Sequence, residues 1–456
     1  MTRPYIGIMN DKTISKFLSE EYKDFALYTI ENRAIPSVID GFKPTHRKVI
    51  FISNQTWKTG TEKPLKVFQL AGKIANEAYY HHGPASLESA IITMAQSFKN
   101  NLPLLEEIGQ FGSLRSPEPG AARYIGTRLN KNFRLLYKDF ELLQSKWEEG
   151  TEIEPHFFLP IIPTVLINGS SGIAVGFASN ILNRNPVDII TACESIIKSK
   201  KIAEIKPFNN FFNGIYTQDT QNHKKWFIRG CIEITNTSTV KITELPPSLT
   251  YEKYEAILDK LVEDKIIQSY DDNCKDSTNY TIKFTRESLA SLDEEKLIKL
   301  LKLEETETEI FTTLDEFGKL KIFENAEDII TYFVNFRMTY YHKRKAVKLA
   351  KLGEELKVLS NKGRFIKAIL DGKLQINNRK KSEIIEGIKL LGLDEIDGDY
   401  DYLLRMPIYS LTQELWEKLK EDFQTKKAEC EEYSKIEPKD MYLSDLAELK
   451  KKLKYK

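Results

Sequence analysis

Cysteine is scarce: Cys193, Cys231, Cys274 and Cys430 are the only four in 456 residues, and no two form a CxxC or CxxxxC pair. That usage argues against a structural zinc site and against a disulfide framework, and it fits a reducing compartment. A surplus of charge is missing as well, since 67 Lys+Arg stand against 66 Asp+Glu. Net charge therefore gives no hint of nucleic acid; such a hint must come from uneven distribution along the chain. Neither GxxxxGK[ST] nor GxGxxG occurs, so nucleotide binding by either motif is not expected. The segment from Phe157 to Leu182 is apolar but carries Pro160, Pro163, Asn168, Gly169, Ser170, Ser171 and Gly172, which is too broken for a membrane span of about 20 residues. Met1-Thr2-Arg3-Pro4-Tyr5 offers no apolar run and no small-residue cleavage site, so no signal peptide is expected and a cytoplasmic location follows.

What is present suffices for several folded domains. Apolar residues make up 41% and charged residues 29%, and the length predicts about two to four domains. Positive charge gathers in the first third. Residues 41–73 hold seven Lys/Arg and one acid, Glu62; residues 121–138 hold five Lys/Arg and no acid. Residues 151–325 read as mixed α/β. Trp226 to Ile234 and Thr239 to Leu245 alternate like strands around a polar turn, Pro246-Pro247 ends the second, and Tyr280 to Phe284 is a further strand. Tyr251 to Ile267 reads as a helix. Beyond Ala326 the chain is helical. Leu349, Leu352, Leu356, Leu359, Gly363, Ile366 and Leu370 recur in steps of three and four, which predicts a helix from near Asp328 that exceeds 30 residues and belongs to a paired-helix arm. Helices are also expected over 412–434, with Thr412 as N-cap, and over 444–454, with Ser444 as N-cap.

Four constellations offer chemistry. Arg33, Lys43, His46, Arg47 and Lys48 crowd a turn shaped by Pro36, Gly41 and Pro44 ahead of a helix, an arrangement that suits phosphate oxygens; a solvated basic loop is the plainer alternative. Tyr79-Tyr80-His81-His82-Gly83 precedes a helical stretch, Leu87 to Phe98. Its two histidines lack a third ligand at metal spacing, so oxyanion recognition is a better reading than zinc. Next comes Gly109-Gln-Phe-Gly-Ser113, then Arg115 to Gly120, then Ala121-Ala-Arg-Tyr-Ile-Gly-Thr-Arg-Leu129. Here Tyr124 lies between Arg123 and Arg128. A phenol is a poor nucleophile at neutral pH, and neighbouring cations would favour its phenolate and offset charge on an attacked phosphate. Most tyrosines are structural, and on chemistry alone Tyr124 is no exception. The fourth is Leu159 to Gly176, whose glycines permit close backbone approach.

In this order the four segments resemble the breakage–reunion subunit of type IIA DNA topoisomerases, the family of the gyrase and topoisomerase IV A subunits. Arg33 to Arg47, His81-His82-Gly83, Ala121 to Leu129 and Gly169 to Gly176 carry the likeness. Thr243-Glu-Leu-Pro246 and Phe333 to Arg344 extend it to the C-terminus. Adjacent histidines without an intervening proline resemble the eukaryotic and phage forms rather than the bacterial one. The resemblance implies a multidomain α+β chain: a winged-helix (CAP-like) DNA-cleavage domain over 1–150, an α/β tower domain over 151–325, and a coiled-coil arm with a helical C-gate over 326–456. It implies that Tyr124 is the nucleophile and that Arg123 stabilises the transition state. Arg33, Lys43, His46 and Arg47 would grip phosphates, and His81 and His82 would assist at the scissile region with their roles undivided. Ile173 would be an apolar wedge between base steps, where a buried core isoleucine is the alternative.

Cofactors and partners follow from the same likeness. Mg²⁺ is expected on the carboxylates of a TOPRIM domain in a partner, because Asp271-Asp272 is a poor match, and ATP on a partner's ATPase domain. The expected partners are double-stranded DNA, a second copy of the chain through the C-gate, and those ATPase and TOPRIM subunits. No membrane is expected. Without a DNA-wrapping domain, relaxation and decatenation are expected rather than negative supercoiling. A DNA-bending architectural protein that has lost the chemistry is the competing class, and a tyrosine recombinase is a weaker third.

Overall fold

The computed structural model describes residues 14–275, 277–396, 398–407 and 411–453. The N-terminal pentapeptide lies outside them. The chain divides into two compact units, residues 1–337 with 445–456, and residues 338–444.

The first unit opens on a run of α and π turns over residues 14–34. Three helices then pack together: α1 (Pro44–Thr56), α2 (Val67–Glu77) and α3 (Pro84–Ala95). Helices α1 and α3 begin on prolines, whose fixed φ suits a first helical turn and whose missing N–H costs nothing there. Val49, Ile50, Ile52, Leu70, Ile74, Leu87 and Ile91 are fully buried, which is the core the apolar spacing encodes. The short strand β1 (Leu65–Lys66) pairs antiparallel with β2 (Gly126–Thr127). A hairpin of β3 (Ser145–Glu148) and β4 (Thr151–Pro155) turns at Glu149-Gly150 and rests on α1.

Phe157 to Leu182 holds a two-residue strand, a single helical turn at Thr164–Ile167 and the hairpin of β5 (Ser170–Ile173) and β6 (Ala178–Ile181). Among the described residues no helix is long and apolar enough to cross a membrane.

Further on, β7 (Ile215–Gln218), β8 (Lys225–Arg229), β9 (Cys231–Asn236), β10 (Thr239–Glu244), β11 (Ser269–Asp272), β12 (Tyr280–Lys283) and β13 (Glu304–Thr308) build two antiparallel sheets. One has the order β13-β8-β7 and the other β9-β10-β12-β11. The single strand expected from Trp226 to Ile234 is therefore two strands in two sheets, divided at Gly230. A Cβ there would lie 2.3 Å from the Glu244 carbonyl oxygen, so the close passage between sheets admits glycine. The helix expected over Tyr251 to Ile267 is α4 (Tyr251–Glu263); Thr250 caps it, and Tyr254 and Leu258 bury against Val240, Ile242, Tyr280 and Ile282.

Helix α5 (Ala326–Leu370) runs for 45 residues with Gly363 inside it. In the second unit it lies beside α6 (Gln413–Lys435), with Glu355–Lys426 at 2.9 Å and Lys348–Glu429 at 3.9 Å linking them. The paired helices expected from the leucine spacing are present, and Thr412 caps α6 through Leu415 N–H at 3.3 Å. One boundary is corrected. The last helix, α7, is Pro438–Lys452, so Ser444 is an interior residue and not its cap; Pro438 starts the helix six residues earlier.

Candidate functional site

Tyr124 sits on a turn that two backbone bonds pin to the start of α2. Phe68 N–H donates to Ala122 O at 3.2 Å and Val67 N–H to Ile125 O at 3.1 Å, while Tyr124 N–H closes the turn on Ala121 O at 2.8 Å. The β1–β2 pair fixes the next residues, and Lys66 Nζ donates to the Tyr124 carbonyl at 2.5 Å. The phenol itself is 71% exposed, with the Arg123 guanidinium carbon 5.4 Å from the ring centroid. A bulky aromatic held by its backbone and offered to solvent beside a guanidinium suits a reacting group more than a packing one. Arg128, the other cation expected to bear on it, is instead paired with Glu106 at 2.5 Å.

The basic turn before α1 separates into outward and inward residues. Arg33 is exposed. Lys43 Nζ donates to Ser171 O at 2.8 Å, which joins the first constellation to the fourth; burial lowers its pKa. Arg47, expected among the phosphate-gripping cations, is corrected. It is buried, with Nε 2.8 Å from Asp40 Oδ2 and Nη2 3.1 Å from Asp40 Oδ1, and its charge is spent inside the fold. His46 is half-buried against the edge of Phe42. Burial first, then Lys43 and Arg47, push its pKa down to about 4, so the ring favours its neutral form at neutral pH in the free chain. Lys48 is paired with Glu154 at 2.8 Å.

His81 and His82 flank a cleft of about 260 Å³ and take different partners. His81 Nε2 lies 2.9 Å from Glu148 Oε1 on the β3–β4 hairpin, and His82 Nε2 lies 3.1 Å from the Tyr28 hydroxyl. Both imidazoles are exposed.

Ile173 is 86% exposed at the end of β5, beside the loop that Ala174 N–H closes on Phe177 O at 2.8 Å. The buried-core alternative for it is gone. Among the described residues no three His, Cys, Asp or Glu side chains come together in a way that could hold a metal ion, and Asp271 and Asp272 pair with Lys283 and Arg115.

Several partners escaped the sequence reading: Asp40, Lys66, Glu148 and Tyr28. Asp40 adjoins Gly41 inside the first motif and could have been flagged as the acid facing Arg47. The other three are brought in by chain reversal, and local spacing holds no sign of them.

Residues 33–450 match the family of DNA gyrase/topoisomerase IV A subunits, and the chain belongs to that family. It is 34% identical over 449 residues to the DNA topoisomerase medium subunit of Enterobacteria phage T4, a match that covers 97% of this chain and 100% of that one. To DNA topoisomerase 2 of Plasmodium falciparum it is 33% identical over 491 residues, covering 98% of this chain and 35% of that one. To DNA topoisomerase 2-beta of Mus musculus it is 33% identical over 482 residues, covering 95% and 30%. The chain thus spans the full phage relative and about a third of these eukaryotic ones. Among solved structures it is similar to the DNA-binding, cleavage and re-ligation domain of Plasmodium falciparum topoisomerase II, with a TM-score of 0.79 and 34% identity over 93% of this chain and 62% of that chain.

Proposed function

We propose that the chain cuts and reseals duplex DNA within an ATP-dependent type II topoisomerase, with Tyr124 as nucleophile. The exposure of Tyr124 on a backbone-pinned turn beside Arg123 carries this reading. The phenol oxygen bonds to phosphorus while the bond from phosphorus to the 3′ oxygen breaks; the phenol gives up its proton and the 3′ oxygen gains one. A phosphodiester replaces a phosphodiester, so the reverse step reseals the strand without an outside energy source. Arg123 offsets the charge that grows on the phosphoryl oxygens, and Lys66 holds the turn. Arg33, Lys43, His46, His81 and His82 receive the flanking phosphates. Arg47 acts behind them by fixing Asp40. Ile173 enters a base step and favours a bent duplex, a partial unstacking offset by the contacts the bend brings.

Mg²⁺ and ATP belong to the assembled enzyme. The groups beside Tyr124, Arg123 and Lys66, are cationic and do not fit a divalent metal, so the ion's carboxylates are assigned to a partner's TOPRIM domain, and ATP to a partner's ATPase domain. Residues 1–150 serve as a winged-helix cleavage domain, 151–325 as a tower, and 326–456 as a coiled-coil arm with a dimer gate, of which residues 326–337 and 445–456 group with the first compact unit. Two copies bring two tyrosines, one per strand. Strand passage then gives relaxation and decatenation in the cytoplasm, that of the bacterial host if the chain is phage-encoded.

The test is Tyr124→Phe in the assembly with partner subunits. Duplex binding is expected to persist and denaturant-trapped covalent adducts to disappear. Adducts at the wild-type level would move the nucleophile elsewhere, with Tyr79 and Tyr80 next in line. Loss of adducts with intact bending would leave an architectural role for any homologue that lacks the phenol.

A further inference from the structure

The hairpin that presents Ile173 is held from two sides. On its β6 strand Asn180 exchanges backbone bonds with Ile310 at 3.0 and 2.8 Å, and its side chain donates to Thr308 O at 3.0 Å and Glu307 Oε2 at 3.1 Å. On its β5 strand the hold is different. Gly172 lies so near Ala34 that a Cβ there would stand 2.0 Å from the Ala34 carbonyl oxygen, and the Lys43 ammonium donates to Ser171 O, two residues before the wedge. Lys43 also borders an open cavity of about 480 Å³ shared with His46, Lys99 and Ser171. An ammonium has three N–H donors and no acceptor. One is committed to the hairpin, which leaves two donors on a residue that borders this cavity.

We propose that Lys43 is the positioning residue of the Ile173 wedge: one N–H fixes the Ser171 carbonyl while the others take a backbone phosphate, so that phosphate capture and wedge orientation are a single event. This deepens the reading of Ile173 as a wedge and rests on it. A lysine that only gripped phosphate would add affinity and one released counterion without setting the bend. A lysine that also orients β5 determines how far the duplex bends once bound. Burial partly desolvates the amine and lowers its pKa.

The experiment uses the chain assembled with its partner subunits on a duplex carrying a donor and an acceptor dye at its ends, read at saturating protein. Four forms are compared with wild type: Lys43→Met, Lys43→Arg, Ile173→Ala and the Lys43→Met/Ile173→Ala double variant. Lys43→Met is expected to reduce the bend-dependent energy transfer as Ile173→Ala does, and the double variant to match Ile173→Ala alone. Lys43→Arg, which keeps charge and donors, should restore the wild-type signal. The salt slope of binding should fall by about one unit in Lys43→Met. A normal bend at saturation in Lys43→Met, with only the salt slope lost, overturns the proposal and leaves a simple phosphate contact. So does a double variant that bends less than Ile173→Ala. If Ile173→Ala itself bends DNA like wild type, the wedge reading falls and takes this inference with it. If Lys43→Met fails to fold, Lys43→Ala is read in its place: a bend reduced to the Ile173→Ala level at saturation supports positioning, and a wild-type bend overturns it.

Discussion

Single residues here are sorted by whether their charge faces inward or outward. Arg47 and Asp40 are the inward pair. Asp40 also accepts Phe42 N–H and Phe158 N–H, each at 3.0 Å, so its loss strands several donors. Asp40→Ala should cost about 3–5 kcal/mol in chemical denaturation, as expected when one partner of a buried pair is removed; a loss within the range of surface substitutions would show that the pair is not what holds this turn. His46 gives a pH signature. Its unfolded imidazole takes up a proton near 6.5, but in the fold only near 4. The unfolded chain therefore binds more protons between those values, and the stability due to neutral His46 is fully present above 6.5 and lost as pH falls toward 4. Replacing it by Gln should make stability at pH 5 less unlike that at pH 7.5, by at most about 2 kcal/mol. An unchanged pH dependence would place the titration elsewhere. Tyr124 and Ile173 were legible as positions because motif and order marked them. Their exposure was not, since a sequence cannot say whether an apolar or aromatic side chain faces the core. Arg47 shows the converse: a cation beside other cations reads as a surface group until its acid is located.

At the scale of elements, periodicity carried most of the information. The leucine steps predicted the long helix α5 and that it belongs to a paired-helix arm, though not which helix pairs with it, and Thr412 announced the start of α6. The failures share a cause, which is that chain reversals lack periodicity. Gly230 divides two sheets without interrupting the alternation around it, and Pro438 starts α7 ahead of the serine that resembles a cap. The β5–β6 hairpin is the element on which the DNA reading leans, and Gly172 is its tightest point. Gly172→Ala must push β5 away from the Ala34 carbonyl, an overlap costing about 1–3 kcal/mol. Hydrogen exchange in the β5–β6 ladder should speed up, and covalent adduct yield should fall while Tyr124 stays intact. A ladder as protected as wild type would mean that residues 30–34 yield instead, and that the hairpin is not fixed from that side.

The whole molecule works by division of labour. Under the proposed function this chain brings a tyrosine, phosphate-binding side chains and a wedge, and other subunits bring the groups that hold Mg²⁺ and ATP. Purified alone, it should dimerise and bind duplex DNA but leave supercoiled plasmid unrelaxed, with ATP-dependent relaxation appearing when its partners are added. Relaxation by the chain alone would show that it carries a metal site and an energy source of its own. The central claim is the bond between Tyr124 and DNA, and its chemistry can be read directly. The assembled enzyme is stopped by denaturant on a duplex labelled at one end of each strand, digested with protease, and the DNA-linked peptide is sequenced by mass spectrometry. The predicted result is a peptide containing Ala121 to Arg128 with a phosphodiester on Tyr124, joined to the 5′ end of the broken strand and leaving a free 3′ hydroxyl. A linkage on any other residue, or one to the 3′ end, would contradict it.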